Sequence, residues 1–500
     1  MNARRLIQLT VIVMFSSSFF SQLVGARDGD NVRPSVCAGT WYPGEADALA
    51  EHVDGLLDGA TAPDVHGKPI AVIAPHAGYR FSAPTAAPAY AALKGHHYRR
   101  VIVLAFSHRN AARYEGVDVP AELTAYATPL GAIPIDRDAC QRLLHDSTFE
   151  SDPRIDAGEH SLELQLPLLR RAIGEFELVP LLVGQLSHEQ CVAAAKAILL
   201  LVDDDTLLVA STDFTHYGPN YGYTPFTEDV PAHLEKLATD AASAIRRCDV
   251  DGFVEHLAAT GDTICGRGPV TLLLRTLSMR GGADCVRAGF DTSGHMTGDY
   301  TNSVTYQSFV FTPPRGTLTD AERTALLKIA RDTARAYLNG QPLPAVDAST
   351  LPDALRRDGG CFVTLTNHGR LRGCIGNMIA SGPLYESVMR NAVSACQDPR
   401  FVDMPITAAE LDELHIEISY LTPMHRVSDV HEIVVGRQGL LIGLGMQRGV
   451  LLPQVAYERG WRREEFLEQT CRKAGLPLNA WKRSEAEIDA FEAEVFGEAE

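Results

Sequence analysis

The sequence predicts an α/β domain with a largely parallel sheet over residues 33–311, followed by an α+β domain over residues 319–496. Short apolar runs alternate with amphipathic helical stretches through the first region, which is the pattern of parallel strands joined by helices. The segment "FTPPRGTLTD" interrupts this pattern with two prolines and a glycine, so residues 312–318 are expected to form a linker. A chain of 500 residues is also long enough for two or three domains.

Each predicted element has its own signal in the sequence. In the first domain the strand-like runs are "PIAVIA", "RRVIVLAF", "FELVPLLVG" and "TLLVASTDF", and two of the helical stretches are "GEADALAEHVDGLL" and "HEQCVAAAKAILLLV". The second domain opens with the helix "TDAERTALLKIARDTARAYL", for which Thr319 is the predicted N-cap because acidic residues fill the first turn after it. The β-rich runs "GGCFVTLT", "ELHIEISYL" and "LLIGLG" then alternate with further helices, which predicts an α+β domain.

The composition indicates a globular protein that does not bind nucleic acid. Hydrophobic residues make up 45% of the chain and charged residues 22%. Lys and Arg number 45 against 63 Asp and Glu, which gives a net charge of −18. Binding to a phosphate backbone relies on Lys and Arg that displace counterions, so we expect a small-molecule or peptide substrate and no nucleic-acid partner. The ten cysteines include no C-x-x-C pair, which argues against a disulfide scaffold or a zinc finger.

The first residues have the pattern of a secretory signal peptide. Arg4 and Arg5 precede the apolar stretch "LIQLTVIVMFSSSFFSQLVGA", which ends in small residues at Gly25 and Ala26. The stretch is short for a comfortable membrane span. We therefore expect residues 1–26 to direct export to the periplasm or the extracellular space. An uncleaved anchor, or a start codon written too far upstream of a cytoplasmic protein, are the alternatives.

Polar residues with catalytic potential follow three of the predicted strands. His76 comes after "AVIA", His108 after "VIVLAF", and Asp213 after "LLVAS", with His216 three residues further on. Ligand sites of open α/β sheets lie outside the carboxyl ends of the strands. A single histidine at a strand end is most often structural, but three strands that deliver such residues to one edge predict a shared site.

Cys265 is expected to join this site. It lies in the turn "TICGRGP" directly before a predicted helix, and a helix N-terminus favours a thiolate. The alternative is a buried cysteine that acts as a small hydrophobe. Two imidazoles and a thiolate suit one divalent transition metal and leave coordination positions open, so we predict that His76, His108 and Cys265 are metal ligands.

The remaining polar residues of this region are assigned to chemistry around the metal. Asp213 and His216 are predicted to orient a ligand or to act as general acid and base. His160, in "DAGEHSLELQLPLL", is either a further catalytic residue of the same cleft or part of a helix start. Iron(II) is the expected metal, with copper and zinc as alternatives because sulfur is a soft ligand that also accepts them.

The motifs of the first region resemble those of Memo-like proteins. "AGTWYPG", "APHAGY", "EHSLELQLP", "STDFTHYG" and "TICGRGP" occur in the order typical of that family. The resemblance implies a fold similar to class III extradiol dioxygenases, with a metal site at His76, His108 and Cys265 and with Asp213 and His216 nearby. Extradiol dioxygenases bind non-haem iron through two histidines and a carboxylate, so the cysteine counts against ring cleavage. Where the family commonly reads Ser-His-His, this chain has Arg109, which is expected to bind an anionic group of the substrate.

The second region resembles an AMMECR-type domain. The motifs are "GGCFVTLTNHGRLRGCIGNM", "DPRF", "GLLIGLGMQRGVLLPQVA" and "FLEQTCRKAGLPLNAW". Cys374 lies between two glycines that permit close approach of a backbone, and Arg372 is near enough to favour its thiolate. Both residues are predicted to contact substrate; the alternative for Cys374 is a small residue packed in a tight strand turn.

The two resemblances together point to the AmmeMemoRadiSam system, in which Memo-like, AMMECR-type and radical S-adenosylmethionine proteins are associated. The chain has no C-x-x-x-C-x-x-C run, so the radical S-adenosylmethionine component is expected to be a separate partner. Two functions are compatible with the sequence. The first is a metal-dependent oxidoreductase with a dioxygenase-like site, and the second is a non-catalytic adaptor that binds peptides or anions in the same cleft.

Overall fold

The computed structural model describes residues 31–109, 114–314, 318–380, 382–422 and 424–498. The predicted signal peptide lies outside the described residues, as does the middle of the predicted linker. Among the helices of the described ranges, none is both long enough and apolar enough to cross a membrane.

The first domain alternates strands and helices along most of its length. Its strands are β1 (Val32–Arg33), β2 (Ala71–Ala74), β3 (Arg100–Ala105), β4 (Val117–Asp118), β5 (Ala125–Thr128), β6 (Gly131–Pro134), β7 (Phe149–Glu150), β8 (Glu177–Val183), β9 (Thr206–Ser211), β10 (His216–Tyr217), β11 (Asp284–Thr292) and β12 (Ser303–Thr312). Its helices are α1 (Ala46–Gly59), α2 (Tyr79–Ala91), α3 (Arg137–Leu143), α4 (Pro153–Asp156), α5 (Leu166–Ile173), α6 (His188–Leu199), α7 (Val230–Arg246), α8 (Val250–Thr260), α9 (Arg267–Met279) and α10 (Ser293–Thr297).

The main sheet of this domain is mixed rather than largely parallel. Its order is β10-β12-β2-β9-β3-β8-β4-β7, with β11 paired to β12. The four central strands β2, β9, β3 and β8 are parallel, as the sequence predicts, whereas β10, β11 and β12 on one flank and β4 on the other add in antiparallel orientation. Strands β1, β5 and β6 form a separate small sheet.

The central strands form the core because they are apolar along their whole length. Every residue of β2, β3 and β9 is buried, which is the pattern of strands covered on both faces. Helix α2 packs against β11 and β12, and α9 packs against β3 and β9. This packing fixes the carboxyl ends of β2, β9 and β3 side by side.

The second domain contains an antiparallel sheet with helices packed against it. Its elements are α11 (Asp320–Leu338), α12 (Asp353–Arg356), β13 (Gly360–Asn367), β14 (Arg370–Asn377), α13 (Leu384–Cys396), β15 (Leu414–Leu421), β16 (His425–Arg426), β17 (Gln438–Leu444), β18 (Gln447–Leu451), α14 (Pro453–Arg459), α15 (Arg463–Lys473) and β19 (Glu487–Gly497). The sheet runs β14-β13-β15-β19-β17-β18, with β16 on β19. Thr319 caps α11 in a reciprocal capping box with Glu322, at the residue that the sequence predicts.

The two domains meet through polar contacts that centre on Arg463 at the start of α15. Its guanidinium pairs with both oxygens of Asp249, at 2.9 and 3.1 Å, and with Glu255 at 2.9 Å, both in the first domain. Arg463 and Asp249 are buried. Nearby, the Ser278 hydroxyl donates a 2.7 Å hydrogen bond to the carbonyl of Val435. The junction is therefore a specific interface between the domains.

Candidate metal centre

Three potential metal ligands converge at the edge of the main sheet. His76 follows β2, His108 follows β3, and Cys265 lies two residues before α9. Their ligand atoms all lie within 4.8 Å of one another, and His76 Nε2 is 3.2 Å from Cys265 Sγ. The convergence arises because β2 and β3 both neighbour β9 in parallel, so that their carboxyl ends point to the same side. The structure thus brings together the three residues that the sequence predicts as ligands.

The ring of His76 is held with Nε2 directed at the site. The residue is buried, and its Nδ1 lies 2.9 Å from the hydroxyl of Ser211, the last residue of β9. Its backbone N–H donates a 2.7 Å hydrogen bond to Asp213 Oδ1. Burial, followed by the neighbouring imidazoles, lowers the pKa of His76 well below its usual value, so the ring is neutral and available as a ligand.

His108 is oriented in the same way by a buried carboxylate. Its Nδ1 lies 3.0 Å from Glu159 Oε1, and its backbone N–H donates a 2.6 Å hydrogen bond to Glu159 Oε2. The backbone N–H groups of His160 and Ser161 also donate to Glu159. Burial opposes ionisation of Glu159, but the contacts with His108 and His160 outweigh it and lower its pKa to about 2. A carboxylate on Nδ1 of a histidine is the usual partner of a metal-bound imidazole and leaves Nε2 for the metal.

Cys265 differs from the expectation drawn from its place before a helix. Burial, with Asp213 as the next largest cause, raises the pKa of the thiol far above its usual value. Burial therefore outweighs the effect of the start of α9, and the helix alone does not make a thiolate. A cation bound between Cys265 and the two imidazoles would supply the missing stabilisation.

The donor set and its spacing fit a single transition-metal ion. Bonds of about 2.0 to 2.3 Å from a metal to nitrogen and sulfur put tetrahedral ligand atoms roughly 3.5 Å apart. The separation of 3.2 Å between His76 and Cys265, and the limit of 4.8 Å for all three atoms, need only small side-chain adjustments to meet this value. Three protein ligands also leave a coordination position open, as in catalytic sites.

The candidate ligands lie beside a cleft of about 620 Å³ that is rich in aromatic residues. Its lining includes Trp41, Phe81, His108, His160, Asp213, His216, Tyr221 and Tyr306. The ring of His160 stacks on that of His108, with ring centroids 4.4 Å apart. The ring of Trp41 also contacts His160, and the centroids of these two rings are 4.4 Å apart. A volume of this size accommodates a small molecule or a single side chain of a peptide.

The three predicted catalytic residues all line this cleft, in different environments. Burial lowers the pKa of His160 to about 4, so this imidazole is neutral at pH 7. Burial raises the pKa of Asp213, which is nevertheless held by the backbone N–H of His76. His216 is half-buried, and its Nδ1 lies 3.1 Å from the carbonyl oxygen of Thr263. Its Nε2 is therefore the nitrogen left for a ligand.

One wall of the cleft is held by Glu163. This buried carboxylate accepts hydrogen bonds from the backbone N–H groups of Val36 and Cys37, from the hydroxyls of Ser35 and Tyr42, and from the guanidinium of Arg33. These donors all belong to the segment at residues 33–42, which also carries Trp41. Glu163 thereby fixes the position of Trp41 against His160.

The other predicted contact residues lie outside this cleft. Arg109 is exposed, and its guanidinium lies against Gly158, where an added Cβ would be 2.9 Å from Nη1. Arg372 and Cys374 are on β14 of the second domain. Arg372 pairs with Glu410 at 3.0 Å, and the backbone N–H of Cys374 donates to Asp398 Oδ2 at 3.0 Å. The Cys374 thiol accepts a 3.3 Å hydrogen bond from the hydroxyl of Thr364.

Several residues of the site were not found by sequence reasoning. Glu159, Ser211 and Glu163 act through side chains that meet the site from distant parts of the chain. Trp41 lies in a turn, and Tyr221 ends a short 3-10 helix, Pro219–Tyr221. The only available signal was the presence of Glu159 and Glu163 in the motif "EHSLELQLP", where two carboxylates accompany a histidine.

Comparison with known proteins shows the family. The model of the Memo-like protein family matches residues 33–310, which is more than half of the chain. The chain belongs to the Memo-like protein family. A second family model, AMMECR1, matches residues 327–496, so a Memo-like domain is fused to an AMMECR1 domain. The candidate metal centre lies entirely in the Memo-like domain.

Relatives in other organisms match parts of this fusion. A MEMO1 family protein of Schizosaccharomyces pombe is 30% identical over 276 residues, which cover 49% of this chain and 87% of that protein. A protein of Methanothermobacter thermautotrophicus is 41% identical over 187 residues, covering 35% of this chain and 94% of its own length. The crystal structure of an uncharacterised protein from Pyrococcus horikoshii is 36% identical and covers 36% of this chain and 93% of that chain, with a TM-score of 0.33.

Proposed function

We propose that the Memo-like domain is a metal-dependent oxidoreductase that acts on a small molecule, with iron(II) bound by His76, His108 and Cys265. The observation that carries this proposal is the convergence of the three ligand atoms within 4.8 Å at the edge of an aromatic cleft. Iron(II) bound there would supply redox chemistry with open coordination positions. The cysteine distinguishes this donor set from that of extradiol dioxygenases, so oxidation without ring cleavage is the favoured reaction.

The protein residues around the metal would bind and orient the substrate and move protons. His160 is neutral and lies in the cleft wall, so its imidazole can accept a proton from a bound hydroxyl group. His216 Nε2 faces the same cleft as a second acceptor or donor. Asp213 holds the backbone of His76, and burial raises the pKa of its carboxyl above the usual value. Trp41 and Tyr221 would exclude water and stack on the substrate.

Metal content is the first measurement. The full chain is purified anaerobically, loaded with iron(II), desalted and analysed by mass spectrometry for metal, and we expect about one iron per chain. His76→Ala and Cys265→Ala should each lose the metal because each removes one of three protein ligands. Cys285→Ala and His295→Ala are matched controls, because these residues lie on β11 and α10, outside the candidate ligand set. Full metal retention by both ligand variants contradicts the assignment.

Oxygen uptake then separates an enzyme from an adaptor. The iron-loaded protein is given ascorbate as a reductant in an oxygen electrode, first alone and then with catechol as an aromatic probe. We expect oxygen consumption above that of free iron, lost in Cys265→Ala and kept in Cys285→Ala. A protein that binds one iron but consumes no more oxygen than the Cys265→Ala variant would instead support the adaptor function.

A further inference from the structure

A second cavity system lies where the Memo-like domain meets the AMMECR1 domain. It consists of two adjoining cavities of about 530 and about 320 Å³, which share Leu186, Cys191, Val254 and Thr271 in their linings. The walls are the start of α6 with α8 and α9, and the first residues of α15 close the smaller cavity. We refer to the two cavities together as the junction groove.

The larger cavity of the junction groove is mainly apolar. Its lining includes Phe106, Leu186, Cys191, Val254 and Leu257. Val254 lies on α8 and is 44% exposed, although it is a large apolar residue in the middle of a helix. An apolar surface of this kind gains free energy when a hydrophobic ligand covers it.

The smaller cavity contains a buried guanidinium with an unused donor. Arg275, on α9, is 3% exposed, and among the described residues its Nε–H has no hydrogen-bond partner. Its Nη2 is 3.8 Å from Asp251 Oδ1, beyond hydrogen-bond distance. A buried donor without an acceptor destabilises the structure around it, so an acceptor on a bound ligand would relieve that cost.

The acidic residues of the smaller cavity are engaged by other partners. Asp251 accepts the backbone N–H of Arg463 at 2.7 Å, and Glu255 pairs with the Arg463 guanidinium at 2.9 Å. Glu464 pairs with Lys482 Nζ at 2.8 Å. Asp251 Oδ1 still forms the 3.8 Å ion pair with Arg275, whereas Glu255 and Glu464 pair with Arg463 and Lys482 instead.

A second arginine adds positive charge to the same cavity. Arg462 is exposed, lines the cavity, and its side chain makes no hydrogen bond or ion pair with another described residue. His188 also lines this cavity. Burial, and then the positive charges of Arg275 and Arg462, lower the pKa of its imidazole. Arg275 and Arg462 thus supply two guanidinium groups to a lining that also carries the carboxylates of Asp251, Glu255 and Glu464.

We propose that the junction groove binds an amphiphilic monocarboxylate, with its carboxylate between Arg275 and Arg462 and its hydrocarbon chain along Leu186 and Val254 towards Phe106. Guanidinium groups bind carboxylates through charge-assisted hydrogen bonds, and the apolar cavity provides the complementary surface for a chain. Because Arg462 belongs to the AMMECR1 domain and the other contacts to the Memo-like domain, the ligand bridges the junction. It also reaches Phe106, whose ring lies 5.1 Å from that of His108.

Calorimetric titration of the full chain with octanoate tests this site. We expect saturable binding of one octanoate per chain, no measurable binding of acetate, and binding of 1-octanol at least about tenfold weaker because it lacks the charge that arginine recognises. Equal affinity for octanol and octanoate would overturn the carboxylate part of the proposal. The absence of saturable octanoate binding at millimolar concentrations would overturn the whole of it.

Two exposed positions locate the binding without risk to the fold. Arg462→Ala should weaken octanoate binding about tenfold, and Val254→Glu should abolish it by repelling the carboxylate and blocking the apolar cavity. Arg472→Ala, on the exposed surface of the same helix α15, and Leu200→Glu, at an 84% exposed apolar residue, are the matched controls. Unchanged binding in both groove variants, or equal losses in the controls, would contradict the assignment. Metal content is measured in parallel, and it is expected to stay constant.

Discussion

Replacing Arg463 by alanine should loosen the junction between the two domains. The side chain is 5% exposed and pairs with Asp249, which is 3% exposed, and with the half-exposed Glu255. Removal of one partner from a buried ion pair costs about 3 to 5 kcal/mol because the other charge stays buried. In the variant, Asp249 would still accept hydrogen bonds from Arg247 at 3.2 Å and from the backbone N–H of Gly252 at 2.9 Å. Because these partners remain, we expect a cost at the lower end of this range. We therefore expect about 3 kcal/mol, or about a hundredfold more frequent opening of the junction.

Hydrogen exchange followed by mass spectrometry measures this opening directly, since a single unfolding free energy is poorly defined for a chain of two domains. Amides of α8 and α15 should exchange faster in Arg463→Ala, while those of β2 and β9 in the centre of the main sheet should not. Asp249→Asn keeps the cap of α8 but removes the charge. The double variant Arg463→Ala/Asp249→Asn should therefore lose little more protection from exchange than either single variant. Arg472→Ala is the control on the same helix. Exchange in Arg463→Ala within a factor of about two of the parent protein would refute this account, since that factor corresponds to less than 1 kcal/mol.

Three further predictions concern protonation, reactivity and chemistry, and a fourth concerns location. Burial raises the pKa of Asp118 to about 8, and its Oδ2 has no hydrogen-bond partner among the described residues. Because the folded protein holds this proton more tightly than the unfolded chain, whose Asp pKa is about 4, stability should fall as pH rises from about 4 to 8. The slope of the melting temperature against pH should be smaller in Asp118→Asn; an unchanged slope would contradict the assignment. Limited alkylation should label half-buried Cys374 before Cys361, whose pKa burial raises to about 11, and mass-spectrometric mapping that shows the reverse order would be inconsistent with this. Asp213→Asn should retain the metal but lose oxygen uptake, so that loss of metal or of the folded state would indicate a structural role instead. N-terminal sequencing of protein from fractionated cells should give an exported chain that begins just after Ala26, whereas a cytosolic chain that begins at Met1 would exclude export.

The sequence was sufficient to predict which residues meet at the candidate metal centre. The four runs predicted as strands contain β2, β3, β8 and β9, and parallel strands necessarily end at one edge of a sheet. His76, His108 and Asp213 follow three neighbouring strands, so their proximity required no knowledge of side-chain positions. The N-cap Thr319 was predictable for a similar reason, since a capping box is formed within four consecutive residues.

Features that depend on long-range contacts could not be predicted from local patterns. Glu159 is 51 residues from His108 along the chain, and Ser211 is 135 residues from His76, so nothing in the sequence pairs them. The mixed sheet was not predicted, because β12 was not among the predicted strand runs and a strand has the same residue pattern in either direction. The pKa of Cys265 was misjudged because burial, which only the folded structure reveals, outweighs the start of the helix.

The anchoring of residues 33–42 by Glu163 has a consequence for how the protein acquires its structure. Ser35 Oγ and Glu163 Oε1 are in contact across 128 positions of the chain. A growing polypeptide emerges from its N-terminus, so this segment is synthesised long before the carboxylate that anchors it. Contacts between residues so far apart close a large loop and form slowly. Cys265 lies about 100 positions beyond Glu163 and is synthesised later still, so the carboxylate that anchors the aromatic wall is present before the third candidate metal ligand.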